Sequence, residues 1–213
     1  MADRYALVVD STNNNIKEIP AADRLVADNL LLSGTTPTLT IGDAGAEDTK
    51  IVFDGNAQDF YIGLDDSADD LVIGLGSAVG TTPAISIDEN QVVKFEAAIT
   101  EQATSLTSDT TVALDVRDGG VFEITLGHDI GTFNWSNHAL SGAVSSFIMK
   151  VVQDGTGSRT IAWPDGTNSV TVRWAGNTAP TLSTGAADID VFVFFTTDGG
   201  TNYYGFTAGQ DML

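Results

Sequence analysis

Two histidines, His128 and His138, are this chain's whole supply of imidazole, and no cysteine accompanies them. Neither has a second histidine at ligand spacing, so the residue set for a zinc-type centre is missing. The absence of cysteine removes thiolate metal sites, disulfides and a thiol nucleophile together. No G-x-S-x-G elbow, P-loop or H-E-x-x-H string occurs, and Gly155-Thr-Gly157 belongs to a turn between strands rather than to a phosphate loop. Carboxylates are plentiful. The run Asp65-Asp-Ser-Ala-Asp-Asp70, with Asp43, Glu47, Asp48, Asp54 and Asp59 near it in sequence, offers the hard oxygens that Ca²⁺ takes, but not in the EF-hand pattern. The run reads as a solvated acidic exterior. Among so many acids no single pair stands out as the general acid and base of a glycosidase. The expectation is a non-enzyme without cofactor or metal.

Aromatic side chains are the remaining chemistry. Trp135, Trp163, Trp174, Tyr203 and Tyr204 have the apolar face and polar tip that stack on sugar rings. Trp163 and Trp174 end apolar runs and read as packing residues. Trp135, within Phe133-Asn-Trp-Ser-Asn137, sits in a loop-like context and is the candidate for surface recognition.

The elements that must position these residues are strands. At 213 residues and 42% hydrophobic content the chain can bury a core as one large or two small all-β domains. Twenty-nine acids against nine Lys plus Arg give a net charge of −20, which opposes attraction to nucleic acid or anionic lipid and favours solubility in salt. The N-terminal apolar run is too short for a signal segment or a membrane span, so neither export by the usual route nor membrane insertion is expected. Residues 5–9 and 16–19 flank Asp10-Ser-Thr-Asn-Asn-Asn15 and predict a hairpin. Pro20 closes it, and residues 21–32 read either as a short helix or as an extended connector.

From Leu39 to Phe95 short apolar runs recur about every ten residues, the spacing of short strands joined by turns. They are Leu39–Asp43, Ile51–Gly55, Phe60–Leu64, Leu71–Leu75, Ile85–Glu89 and Val92–Glu96. Ile41, Phe53, Ile62, Ile73 and Ile87 lie in this region without enough chain to cover them, and predict burial between copies of the chain. A monomeric meander is the alternative. The small polar stretch 96–110 marks a boundary, which divides the chain into an N-terminal hairpin and connector (1–35), a repeat region (36–98) and a C-terminal domain (99–213). In the last, strands are predicted at 111–116, 121–126, 146–153, 158–163, 169–174, 189–197 and 202–208, the spacing of a β-sandwich or jelly roll. Val191–Phe195, apolar without alternation, predicts a strand covered on both faces.

The stretch Phe147-Ile-Met-Lys-Val-Val-Gln-Asp-Gly-Thr-Gly-Ser-Arg-Thr-Ile-Ala-Trp163, followed by Trp174-Ala-Gly-Asn-Thr-Ala-Pro-Thr-Leu-Ser-Thr184 and Asp190-Val-Phe-Val-Phe-Phe195, resembles a segment of tail-fibre and other virion surface proteins of tailed bacteriophages. The likeness spans roughly residues 112–206, and more loosely 39–95. Two departures are Pro164–Ser169, which lengthens the link between the two tryptophans, and Asn177, where a second glycine is usual. The resemblance implies a homotrimeric virion component, on tail or head, assembled in host cytoplasm. Its repeats would form a trimeric β-prism or triple β-helix; the N-terminal hairpin, with strand edges suited to pairing with another virion protein, is expected to attach and the C-terminal domain to project. A carbohydrate-binding or glycan-degrading tip that meets a host surface glycan is the alternative.

Overall fold

The computed structural model describes residues 7–10, 15–18 and 28–212. Strands β1 (Leu7–Asp10) and β2 (Asn15–Glu18) pair antiparallel, Leu7 opposite Glu18. This is the expected hairpin. Residues 21–27 of the connector lie outside the described residues, and 28–32 carry no regular structure. The chain divides at Ala97/Ala98 into two compact units.

The first unit is a five-stranded antiparallel meander in the order β3 (Thr49–Phe53), β4 (Phe60–Asp65), β5 (Asp70–Leu75), β6 (Pro83–Ile87) and β7 (Val93–Phe95). Five of the six repeat runs supply these strands, whereas Leu39–Asp43 forms none. The alternation within each run explains the result, since successive side chains point to opposite faces. Acidic residues build the turns. Asp65 accepts a hydrogen bond from the Ser67 hydroxyl at 2.7 Å, and Asp69 takes a left-handed φ of 57°. Asp88 accepts from the backbone N–H of Asn90 and Val92, each at 2.9 Å. The Asp65–Asp70 run thus forms the β4–β5 hairpin turn, where the Asp65 carboxylate takes the local Ser67 hydroxyl.

One face of this sheet is closed by its own loops. Tyr61 is fully buried there, its ring lying across Gly74, where a β-carbon would collide with it, and its hydroxyl accepts from the N–H of Gly80 at 3.0 Å. Val72 and Ser86 are buried beside it.

The second unit packs two sheets around one apolar core. The larger is mixed, ordered β13 (Thr171–Arg173), β15 (Asn202–Met212), β14 (Ile189–Thr196), β12 (Ser145–Gln153), β10 (Val121–Leu126) and β8 (Thr104–Ser105). The smaller pairs β9 (Thr111–Asp115) with β11 (Thr132–Ser136). Along β8 to β12 the chain alternates between the two sheets, so next-but-one strands become neighbours and run parallel: β8 with β10, β10 with β12, β9 with β11. Parallel pairs need such crossovers, and a reading built on hairpins does not supply them. A hairpin reading therefore passes over β11. Residues 158–163, expected as a strand, contribute only an isolated bridge between Ile130 and Ile161.

Strand β14 is central, but its two faces differ. Phe192 and Phe194 are fully buried, while Val191, Val193 and Phe195 are half-buried on the outer side. Phe195 stacks there on Tyr204 and Phe206, centroids 5.3 and 6.0 Å away. The run is apolar throughout because the outer side carries its own aromatic patch, which no further layer of the described residues of this unit covers.

Candidate functional site

Cross-strand registry places the apolar residues of the first unit on one face. Ile51, Ile62, Ile73, Ile85 and Phe95 lie directly opposite one another across all five strands. Leu64, Leu71, Ile87 and Val93 continue the row that starts at Thr49, and Phe53, Phe60 and Leu75 form a third row. No ionisable side chain interrupts these rows. Nor are they covered by the described residues of this unit: Ile62, Ile73 and Phe53 retain 38, 41 and 55% exposure. Ten residues of the three rows are similarly open, between 38 and 55% exposed, and they form one contiguous apolar patch of the kind that marks an interaction surface. The sheet brings Phe53, Ile62, Ile73 and Ile87 of the five candidate core residues together. Ile41 lies outside every strand, 44% exposed.

Trp135 is not a surface residue. It sits in β11 at 5% exposure, edge-on to Phe147, Phe194 and Tyr203 at centroid distances of 5.1, 4.9 and 5.1 Å. The alternation of Phe133 and Trp135 with Asn134 and Ser136 is the period of a half-buried strand, and that signal locates both rings in the core. His138 follows, its Nδ1 2.7 Å from the hydroxyl of Tyr203. Burial holds the His138 imidazole below its ordinary range and pushes the Tyr203 hydroxyl up to about 12. The pair packs the core edge.

The motif residues from Gln153 to Arg159 lock a loop. The Gln153 side chain donates to the Arg159 carbonyl at 2.9 Å and accepts from the Arg159 N–H at 2.8 Å. Asp154 accepts from the N–H of Thr156 and Gly157 and from the Arg159 guanidinium, which together hold its carboxyl below its usual range. Gly157, at φ 74°, lies against the backbone of Thr184 to Ala186. Close by, buried Asp190 accepts from the N–H and hydroxyl of Ser183. The spacing of this segment therefore answers to loop geometry.

A cleft opens beside it. Residues 161–165 and 171–179 bound a volume of about 590 Å³, lined by Trp163, Trp174, Asp165, Arg173 and Asn177. A smaller recess of about 210 Å³ lies on the other side of Trp163-Pro164-Asp165, reaching Thr132 and Asn168. Both tryptophans are half-buried: Trp163 packs on Phe192 at 5.1 Å and Trp174 over Gly205. Their centroids are 5.4 Å apart. Asp165 accepts from the N–H and hydroxyl of Thr167, which hold its carboxyl below the usual range, and Arg173 Nε donates to the Asn202 side-chain oxygen at 2.8 Å.

Among the described residues no group of His, Asp and Glu is arranged to hold a metal ion, and no helix is long and apolar enough to cross a membrane. No family model, curated protein or solved structure matches the chain.

Proposed function

We propose that this protein is a structural component of a bacteriophage virion, a homotrimeric fibre, spike or capsid-decorating protein exposed on the particle surface. The observation that carries the reading is the charge-free apolar face of the five-stranded sheet, in a chain whose net charge is −20. Fully burying such a side chain stabilises by about 1.5–3 kcal/mol, so covering the exposed half of ten of them contributes on the order of 10 kcal/mol per copy. Two or three copies together then exceed the roughly 4–15 kcal/mol that association costs. A second copy meets the face without bringing a charge into contact with it.

Three copies are favoured by the resemblance of residues 112–206 to virion surface proteins. Three flat sheets with their apolar faces inward close a prism around an axis, whereas the intrachain hairpins favour such a β-prism over interwound chains. The β1–β2 hairpin offers strand edges for β-augmentation by another virion protein, which would make the N-terminal region the attachment end. Sedimentation of the purified chain, together with antibody labelling of phage particles by electron microscopy, tests the reading. A trimer and labelled particles are expected, and a monomer at about 10 µM or unlabelled particles would count against it.

A further inference from the structure

We propose that the cleft between residues 161–165 and 171–179 is a glycan-binding site, which takes a short oligosaccharide against Trp163 and Trp174 while Asp165, Arg173 and Asn177 read its hydroxyls. The inference concerns the second unit alone and does not rest on self-association.

Four observations converge. First, the cleft of about 590 Å³ falls within the range of small-ligand sites, and a second recess shares its Trp163–Asp165 wall. Second, its apolar lining is indole. Each tryptophan gives one side to the core and the other to the cleft, a fixed surface suited to the C–H face of a pyranose ring. Third, the polar lining is mixed in sign, and Asp165 and Arg173 each use only part of their hydrogen-bonding capacity on Thr167 and Asn202. Asp165 is an acceptor and Arg173 a donor, and among the described residues neither forms an ion pair with the other or with a third group, although both line the same space. A sugar hydroxyl both donates and accepts, so it satisfies such a pair, whereas an anion would be opposed by Asp165 and by the charge of −20. Fourth, the polar groups are positioned. Asn202 fixes the Arg173 stem, Thr167 fixes Asp165, and Gly176 and Asn177 both take left-handed backbone, φ 66° and 57°. These are features of a preorganised rim rather than of a solvated loop.

The test uses the full chain against an array of neutral and acidic bacterial oligosaccharides, followed by tryptophan-fluorescence titration with any sugar retained. Asp165→Asn, Arg173→Ala and Asn177→Gly spare the fold, since all three residues are exposed and glycine tolerates the left-handed position. Arg173→Ala and Asn177→Gly each remove a hydrogen-bonding group and Asp165→Asn turns one acceptor oxygen into a donor, and each is expected to weaken binding about tenfold. Ile73→Asp, in the other unit, is expected to leave the affinity for a single sugar unchanged. Retention of no arrayed sugar at about 1 mM, the weak end of useful affinity, would overturn the proposal. So would binding that all three rim variants leave intact, which would place the sugar elsewhere.

Discussion

Ile73→Asp is the sharpest perturbation of the apolar sheet. Ile73 lies in β5, the middle strand, with Ile62 and Ile85 directly opposite it on either side. At 41% exposure in the single chain, the substitution leaves a solvated carboxylate in an isolated copy, and the cost to folding is limited to strand preference, at most about 1 kcal/mol. Association changes the balance. Covering the exposed part of Ile73 contributes about 1 kcal/mol per copy, which the variant forfeits. The carboxylate must also be buried without a partner, and it does so most cheaply by taking up a proton, at about 4 kcal/mol for a group with an ordinary pKa near 3.9 held at pH 7. The total is about 5 kcal/mol per copy, or between 10³- and 10⁴-fold in the dissociation constant for each copy that joins. Sedimentation velocity at about 10 µM should therefore show an assembled wild-type chain and a monomeric variant, with the strand signal in circular dichroism retained. Ile73→Ala should weaken assembly by only about tenfold, and Lys94→Ala, on the opposite face of the same sheet, should leave it unchanged. A wild-type monomer, or an Ile73→Asp variant that still assembles, would refute the argument that this face is buried between copies.

Raising NaCl from about 20 to 150 mM should strengthen assembly, because a chain at −20 concentrates like charge when copies meet and the Debye length falls to about 8 Å. Weakening on salt addition, read by the same sedimentation, would show that attractive ion pairs dominate instead. Gly157→Ala should destabilise the second unit by about 2 kcal/mol or more in urea, since it places a β-carbon at φ 74° against the backbone of Thr184–Ala186. Hydrogen bonds from the Asn202 backbone and side chain hold the Asp198 carboxyl at about 2, so its contribution is present above pH ~4 and is lost as pH falls toward 2. Thermal melts should decline through that window, and Asp198→Asn should flatten the decline. Deleting residues 1–32 should leave a soluble assembly that no longer enters particles, and normal incorporation of that variant would reverse the proposed polarity.

How much of this was legible in the sequence depended on whether local alternation carried the information. The repeat from Ile51 to Phe95 declares both its strands and its apolar face, because a period of two fixes which side each residue takes and Asp-rich turns fix where the chain reverses. Antiparallel neighbours then follow from chain order alone. In the second unit they do not. The step from β10 to β11 to β12 leaves one sheet and returns to it, so pairing is set by which apolar face meets which across the core, information that no short window contains. Trp135 hides its place for a related reason: Asn134, Ser136 and Asn137 around it look like a loop, and only its five-residue alternation with Phe133 marks a strand. The departure at Pro164–Ser169 shows the limit from the other side. The lengthened link is plain in sequence, but its consequence is not, because the cleft exists only once the bridge of Asp165 to Thr171 folds that link back and β13 pairs with β15. Arg173, Asp165 and Asn177 are separated by turns and share no periodicity, so the residues best placed to meet a ligand are those that sequence spacing had no means of grouping.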